Sequence, residues 1–154
     1  MALASVEARA ADPCTLDTAR FLQDARKMAS ARPGARLDPR SFAVSWQDRA
    51  FGRVTVSIGG CYHYSLRVSA VRALPARPDD AELLAFAARL VEAHWPKPYA
   101  TTVAAALRHQ APAVEVHADR ALHRIAVDGF DEVTVESSHQ QGKATVSVLA
   151  RIPT

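Results

Sequence analysis

Apolar positions along this chain recur at two spacings, and the change from one to the other marks out its elements. Phe21, Leu22, Ala25, Met28 and Ala29 fall on one helical face, with Arg20, Gln23, Asp24 and Lys27 opposite. Arg20 and Asp24, four apart, can pair along the surface. Asp12 followed by Pro13 predicts the start of this helix, because an aspartate caps free N–H groups and proline suits the first helical position. Arg32-Pro33-Gly34 predicts its end, and residues 35–40 read as loop.

Shorter, alternating runs follow at 42–46, 54–58 and 62–68, and they read as strands. In the third run Tyr62, Tyr64, Leu66 and Val68 share one face, while Cys61, His63, Ser65 and Arg67 share the other. A two-residue Gly59-Gly60 turn would set Val56 opposite His63, mixing apolar and polar faces. A three-residue loop of Gly59, Gly60 and Cys61 instead sets Val56 against Tyr64 and Val54 against Leu66, with a glycine at positive φ.

Helical spacing returns after Pro78. Asp79 with Glu82 three residues on has the form of a capping box. Leu83, Leu84, Phe86, Ala87, Leu90 and Val91 form the stripe, which Pro96-Lys97-Pro98 ends. A shorter helix is expected over 101–108, then strands near 113–118, 122–127, 132–137 and 144–151. Asp119-Arg120 and Asp128-Gly129 supply turns, and an even-length loop around 139–142 sets Val133 and Val135 against Val148 and Val146. The expected fold is α+β, with two to three helices on a largely antiparallel sheet of about six or seven strands.

Phe51-Gly52-Arg53-Val54-Thr55-Val56 echoes Phe130-Asp131-Glu132-Val133-Thr134-Val135, each ahead of a hairpin. The 154 residues fit one α+β domain, within which 12–77 and 78–154 would be weak half-repeats; strand composition alone also produces this much likeness.

Composition narrows the function classes. Hydrophobic residues reach 49% but aromatics only 6%, so each large side chain counts in the core. Nothing approaches the roughly 18 consecutive apolar residues of a membrane span, and the N-terminal apolar run is too short for a secretory signal, so a soluble cytoplasmic protein is expected. Cys14 and Cys61 have neither disulfide-framework nor CxxC spacing. Net charge is +3, with 12 Lys+Arg against 6 Asp+Glu in residues 1–77 and 7 against 10 thereafter. Such asymmetry suits an acidic partner or self-association into a homo-oligomer.

No motif names a reaction, and no cofactor is expected. Cys61 and His63 could supply a thiol nucleophile and base, though residues two apart on a strand merely sit side by side, with no orienting third group. His117, His123 and His139 with Asp128, Asp131, Glu132 and Glu136 carry metal-ligand types without HExxH, HxH or calcium-loop spacing. In the Asp119-Arg120 hairpin His117 and His123 point to opposite faces. Ser137-Ser138-His139 lacks the setting of a nucleophile elbow and reads as hairpin loop. Arg32, Arg36, Arg40, Arg49 and Arg53 near Phe42, Trp46 and Phe51 would suit nucleic acid, if those aromatics were exposed rather than in the core.

The leading expectation is therefore a non-catalytic protein–protein interaction module, of the kind a small bacterial immunity, antitoxin or chaperone-like partner provides. Its contact is expected at the C-terminal strands, on an acidic edge made of Asp131, Glu132 and Glu136 beside His139. A small hydrolase-like enzyme built on a His/Cys or His/acid cluster and nucleic-acid binding through the arginine-rich half are the alternatives.

Overall fold

The computed structural model describes residues 17–60, 63–74 and 76–153, apart from the His63 side chain. A first helix, α1 (Thr18–Ser30), precedes a four-strand meander: β1 (Arg36–Asp38), β2 (Ala43–Asp48), β3 (Gly52–Gly59) and β4 (His63–Ala73). Two helices follow, α2 (Asp80–His94) and α3 (Lys97–His109), and then a second meander of β5 (Ala113–His117), β6 (Arg120–Ile125), β7 (Glu132–Gln140) and β8 (Lys143–Pro153). All eight strands form one antiparallel sheet in the order β1-β2-β3-β4-β8-β7-β6-β5. The last strands of the two meanders pair at its centre.

The α+β class and the helical stripes hold. The eighth strand is β1, in the segment read from sequence as loop; at three residues it is too short to show alternation. The expected helix start at Asp12-Pro13 lies outside the described residues. Asp79 does cap α2, its carboxylate accepting from the Glu82 N–H at 2.8 Å. Proline ends α2 as expected but also opens α3, which begins at Lys97 because Pro98 fits a first turn.

Both hairpin registers keep the expected parity and shift along the strands. Val56 pairs with Val68 and Val54 with Ala70, not with Tyr64 and Leu66. Gly59 pairs with Ser65, so the connection is longer than three residues, and Gly60 takes φ 140° within it. In the last hairpin Val135 meets Val148 and Val133 meets Ala150. Gln141 and Gly142, both at positive φ, close a two-residue turn after Gln140. Ser137-Ser138-His139 is accordingly strand, not loop. Gly52 holds φ 82°, where a Cβ would strike the Val71 carbonyl oxygen.

Alternation gives the sheet two distinct faces. On the helix face one row crosses the centre as Val44, Val56, Val68, Val148, Val135 and His123, each opposite the next. All six are at most 2% exposed. Burying each of these valines contributes about 1.5–3 kcal/mol. Helix α1 covers β1 to β3, and α2 lies across β4, β8 and β7 with α3 packed beside it. At one end of α2, His123 Nε2 lies 3.0 Å from Asp80 Oδ1; at the other, His94 sits between the rings of Trp46 and Phe51 at 5.2 and 5.4 Å. One helix thus ties β6 to β2. Among the described residues no helix covers the other sheet face. There serines and threonines bond in pairs, Ser45 to Thr55 at 2.9 Å and Ser69 to Ser147 at 2.8 Å.

Candidate interaction surfaces

The acidic residues singled out from the sequence do not form an edge. Strand β7, which holds Glu132 and Glu136, has β6 on one side and β8 on the other. Glu132 lies on the open face between two guanidiniums, 3.2 Å from Arg124 and 2.9 Å from Arg151. Glu136 is 3.4 Å from Arg120. Asp131 is exposed just before β7, and its backbone N–H donates to the Arg151 carbonyl at 2.8 Å. His139 has the other parity, and its Nε2 lies 3.0 Å from the Leu74 carbonyl oxygen. The C-terminal strand is likewise central, because a crossover between the halves seats β8 beside β4.

Open edges lie elsewhere. One is β1, of three residues. The other is β5, exposed at all five positions. Its Val114 and Val116 are 43% and 58% exposed, the exposed large hydrophobic side chains among the described residues. They stand opposite His123 and Ala121, hence on the helix face, but beyond the helices' cover. Glu115 is on the open face, 3.8 Å from Arg124. The sequence marked this strand but not its place; alternation reads the same on an edge as in the centre.

The charge asymmetry between the halves reappears on the open face. Arg120, Arg124 and Arg151 are each paired with a glutamate. Arg36, Arg53 and Arg67, on the first meander, make no ion pair among the described residues. The aromatics near them belong to the core instead of presenting stacking faces. Trp46 is 8% exposed with the Arg32 guanidinium 4.3 Å from its ring centre, while Phe42 packs on Phe21 and Phe51 on Phe86.

The remaining clusters do not assemble. His117 stands opposite Arg120 on the open face, whereas His123 is enclosed on the helix face. Among the described residues no three His, Cys, Asp or Glu side chains gather at metal-binding range. Cys14, Cys61 and the His63 side chain lie outside the described residues. Among those described, no helix is long and apolar enough to cross a membrane.

Burial does perturb one histidine. It pushes the His94 imidazole below its ordinary 6.5; Asp48 at 3.7 Å opposes the shift and Arg32 adds to it. His94 Nδ1 and Nε2, like His123 Nδ1, are buried without a hydrogen-bond partner among the described residues. These rings fasten α2 to the sheet. Comparison with known proteins finds no matching family model, curated protein or solved structure.

Proposed function

We propose that this chain is a protein-binding module that takes up an extended segment of its partner along β5. The observation that carries this reading is the edge itself: β5 is exposed throughout, with Val114 and Val116 uncovered beside its unpaired backbone groups. An added strand satisfies such N–H and C=O groups, and alternate apolar side chains on it cover exposed valines. A partner strand with small apolar residues on its helix-side face and a basic residue opposite Glu115 fits this edge. The acidic set moves from anchor to periphery, since arginines already neutralise Glu132 and Glu136.

The test compares wild type with the double variant Val114→Lys, Val116→Lys in affinity purification from the native cell. Both positions are exposed, so the melting temperature should barely change. A stoichiometric protein retained by wild type and lost by the variant supports the reading. Equal capture by both excludes β5 as the docking edge. A concentration-dependent dimer that the variant abolishes identifies the partner as a second copy.

A further inference from the structure

A basin of about 390 Å³ opens on the uncovered sheet face where the β1–β2 connection meets the ends of β3, β4 and β8. Arg40, Arg67 and Arg151 line it together with the hydroxyl-bearing Ser57 and Ser65. The strand register builds this grouping: Ser57 stands directly opposite Arg67, and Ser65 directly opposite Arg151. Among the described residues no aspartate or glutamate lines it.

The donors in this basin are largely unengaged. Arg67 makes no ion pair or side-chain hydrogen bond among the described residues, and neither serine hydroxyl bonds to a described neighbour. Arg40 makes no ion pair within 4.0 Å among the described residues, although its charge acts on the nearby Asp38 carboxylate. The nearby Asp38 carboxylate is occupied by the Ser41 hydroxyl at 2.7 Å and the Arg40 backbone N–H at 3.0 Å, which hold its pKa below the usual carboxylate range. Arg151 gives one arm to Glu132 at 2.9 Å, and a guanidinium has further donors.

The neighbouring basin, across Arg151, serves as an internal comparison. It is lined by Arg124 and Arg151 but also by Asp131 and Glu132, so its cations are matched. The first basin combines three guanidiniums and two free hydroxyls, against which stand, among the described residues, only Glu132, which Arg151 shares with Arg124, and Asp38 beside Arg40. Its surplus is positive, and its donors outnumber what a single planar carboxylate can accept. A compact group with two charges and several acceptor oxygens satisfies them best, through charge-assisted bonds.

We infer that this basin binds a phosphate-monoester-type dianion, whether free phosphate or a phosphorylated side chain of a partner. This site lies apart from strand addition at β5 and does not depend on it.

The experiment follows backbone amide shifts of the full chain during titration at low salt with inorganic phosphate, with a phosphoserine peptide and with the same peptide unphosphorylated. Saturable shifts at Ser57, Ser65 and Arg67 are expected with phosphate, and none with sodium chloride at matched ionic strength. Arg67→Gln should weaken binding roughly tenfold or more, as expected for a lost charge-assisted bond. Arg53→Gln, outside the basin, should leave it unchanged. Lowering the pH from 7.5 to 5.5 should weaken binding too, because the second phosphate ionisation lies near 6. Tighter binding of the phosphopeptide than of phosphate assigns the site to a modified partner; the reverse assigns it to a free anion. Equal binding by wild type and Arg67→Gln, both with unaltered melting temperatures, overturns the proposal, as does the absence of saturable shifts with both phosphorylated probes.

Discussion

His94 and His123 occupy enclosed positions at opposite ends of α2, and their surroundings differ. His123 has Asp80, whose carboxylate lies within hydrogen-bond distance, whereas the His94 ring nitrogens have no hydrogen-bond partner among the described residues and Asp48 is 3.7 Å away. Burial therefore favours neutral His94, and its folded-state pKa falls below the ordinary 6.5. The sign follows directly: with the folded pKa depressed, the unfolded chain binds more protons below 6.5, so stability is full above that pH and declines as pH falls toward the folded value. His94→Leu removes this term. Melting temperatures measured from pH 7.5 to 5 should fall for wild type and fall less for the variant; parallel curves would place the acid sensitivity elsewhere. The partnerless nitrogens were beyond sequence reading, because they depend on Trp46 and Phe51 closing over a helix end roughly 45 residues further along the chain.

Among elements, the contrast lies between central and edge strands. Strand β4 pairs along its whole length with β8 and on its other side with β3, while β5 has one partner and no helix over its valines. Opening free energy follows buried contact and ladder protection. Amide exchange of the full chain should therefore be fastest, among strands of comparable length to β5 or longer, in Ala113–His117, and slowest in the facing parts of β4 and β8. Slow exchange across β5 in a dilute monomer would contradict an edge poised to accept a partner. The hydrophobic pattern placed these strands well and their partners less well. Shifting a hairpin by two residues preserves every face, so parity was legible from Val54, Val56, Val133 and Val135 but the absolute register was not.

At the scale of the molecule, the two meanders trace equivalent paths about the β4–β8 seam. Helices α1 and α3, each of 13 residues, precede them, and the echo between Phe51–Val56 and Phe130–Val135 falls at the starts of β3 and β7. Val68 stands opposite Val148 at the centre, both fully buried. The two halves therefore share a strand order that mirrors across the seam, while α2 has no counterpart among the described residues. Joining the halves means pairing residues about 80 apart in sequence, a costly closure that slows folding. Val68→Ala and Val148→Ala should each cost about 1.5–3 kcal/mol, and as touching neighbours they should couple by about 0.5 kcal/mol or more in a double-mutant cycle. Additive losses in denaturant unfolding would show that the seam is not packed across this pair.

The sequence by itself determined the three helices, seven of the eight strands, the face each of their side chains takes and the imbalance of charge, because all of these follow from local spacing and composition. The cap at Asp79 and the parity of both hairpins were legible for the same reason. Only the tertiary structure decided which strands are neighbours. It set β8 in the centre and β5 at the rim, enclosed Trp46, and brought arginines against Glu132 and Glu136 while leaving Arg67 without an ion pair among the described residues. Strand order depends on pairings between distant segments, and alternation within one strand carries no record of its neighbour.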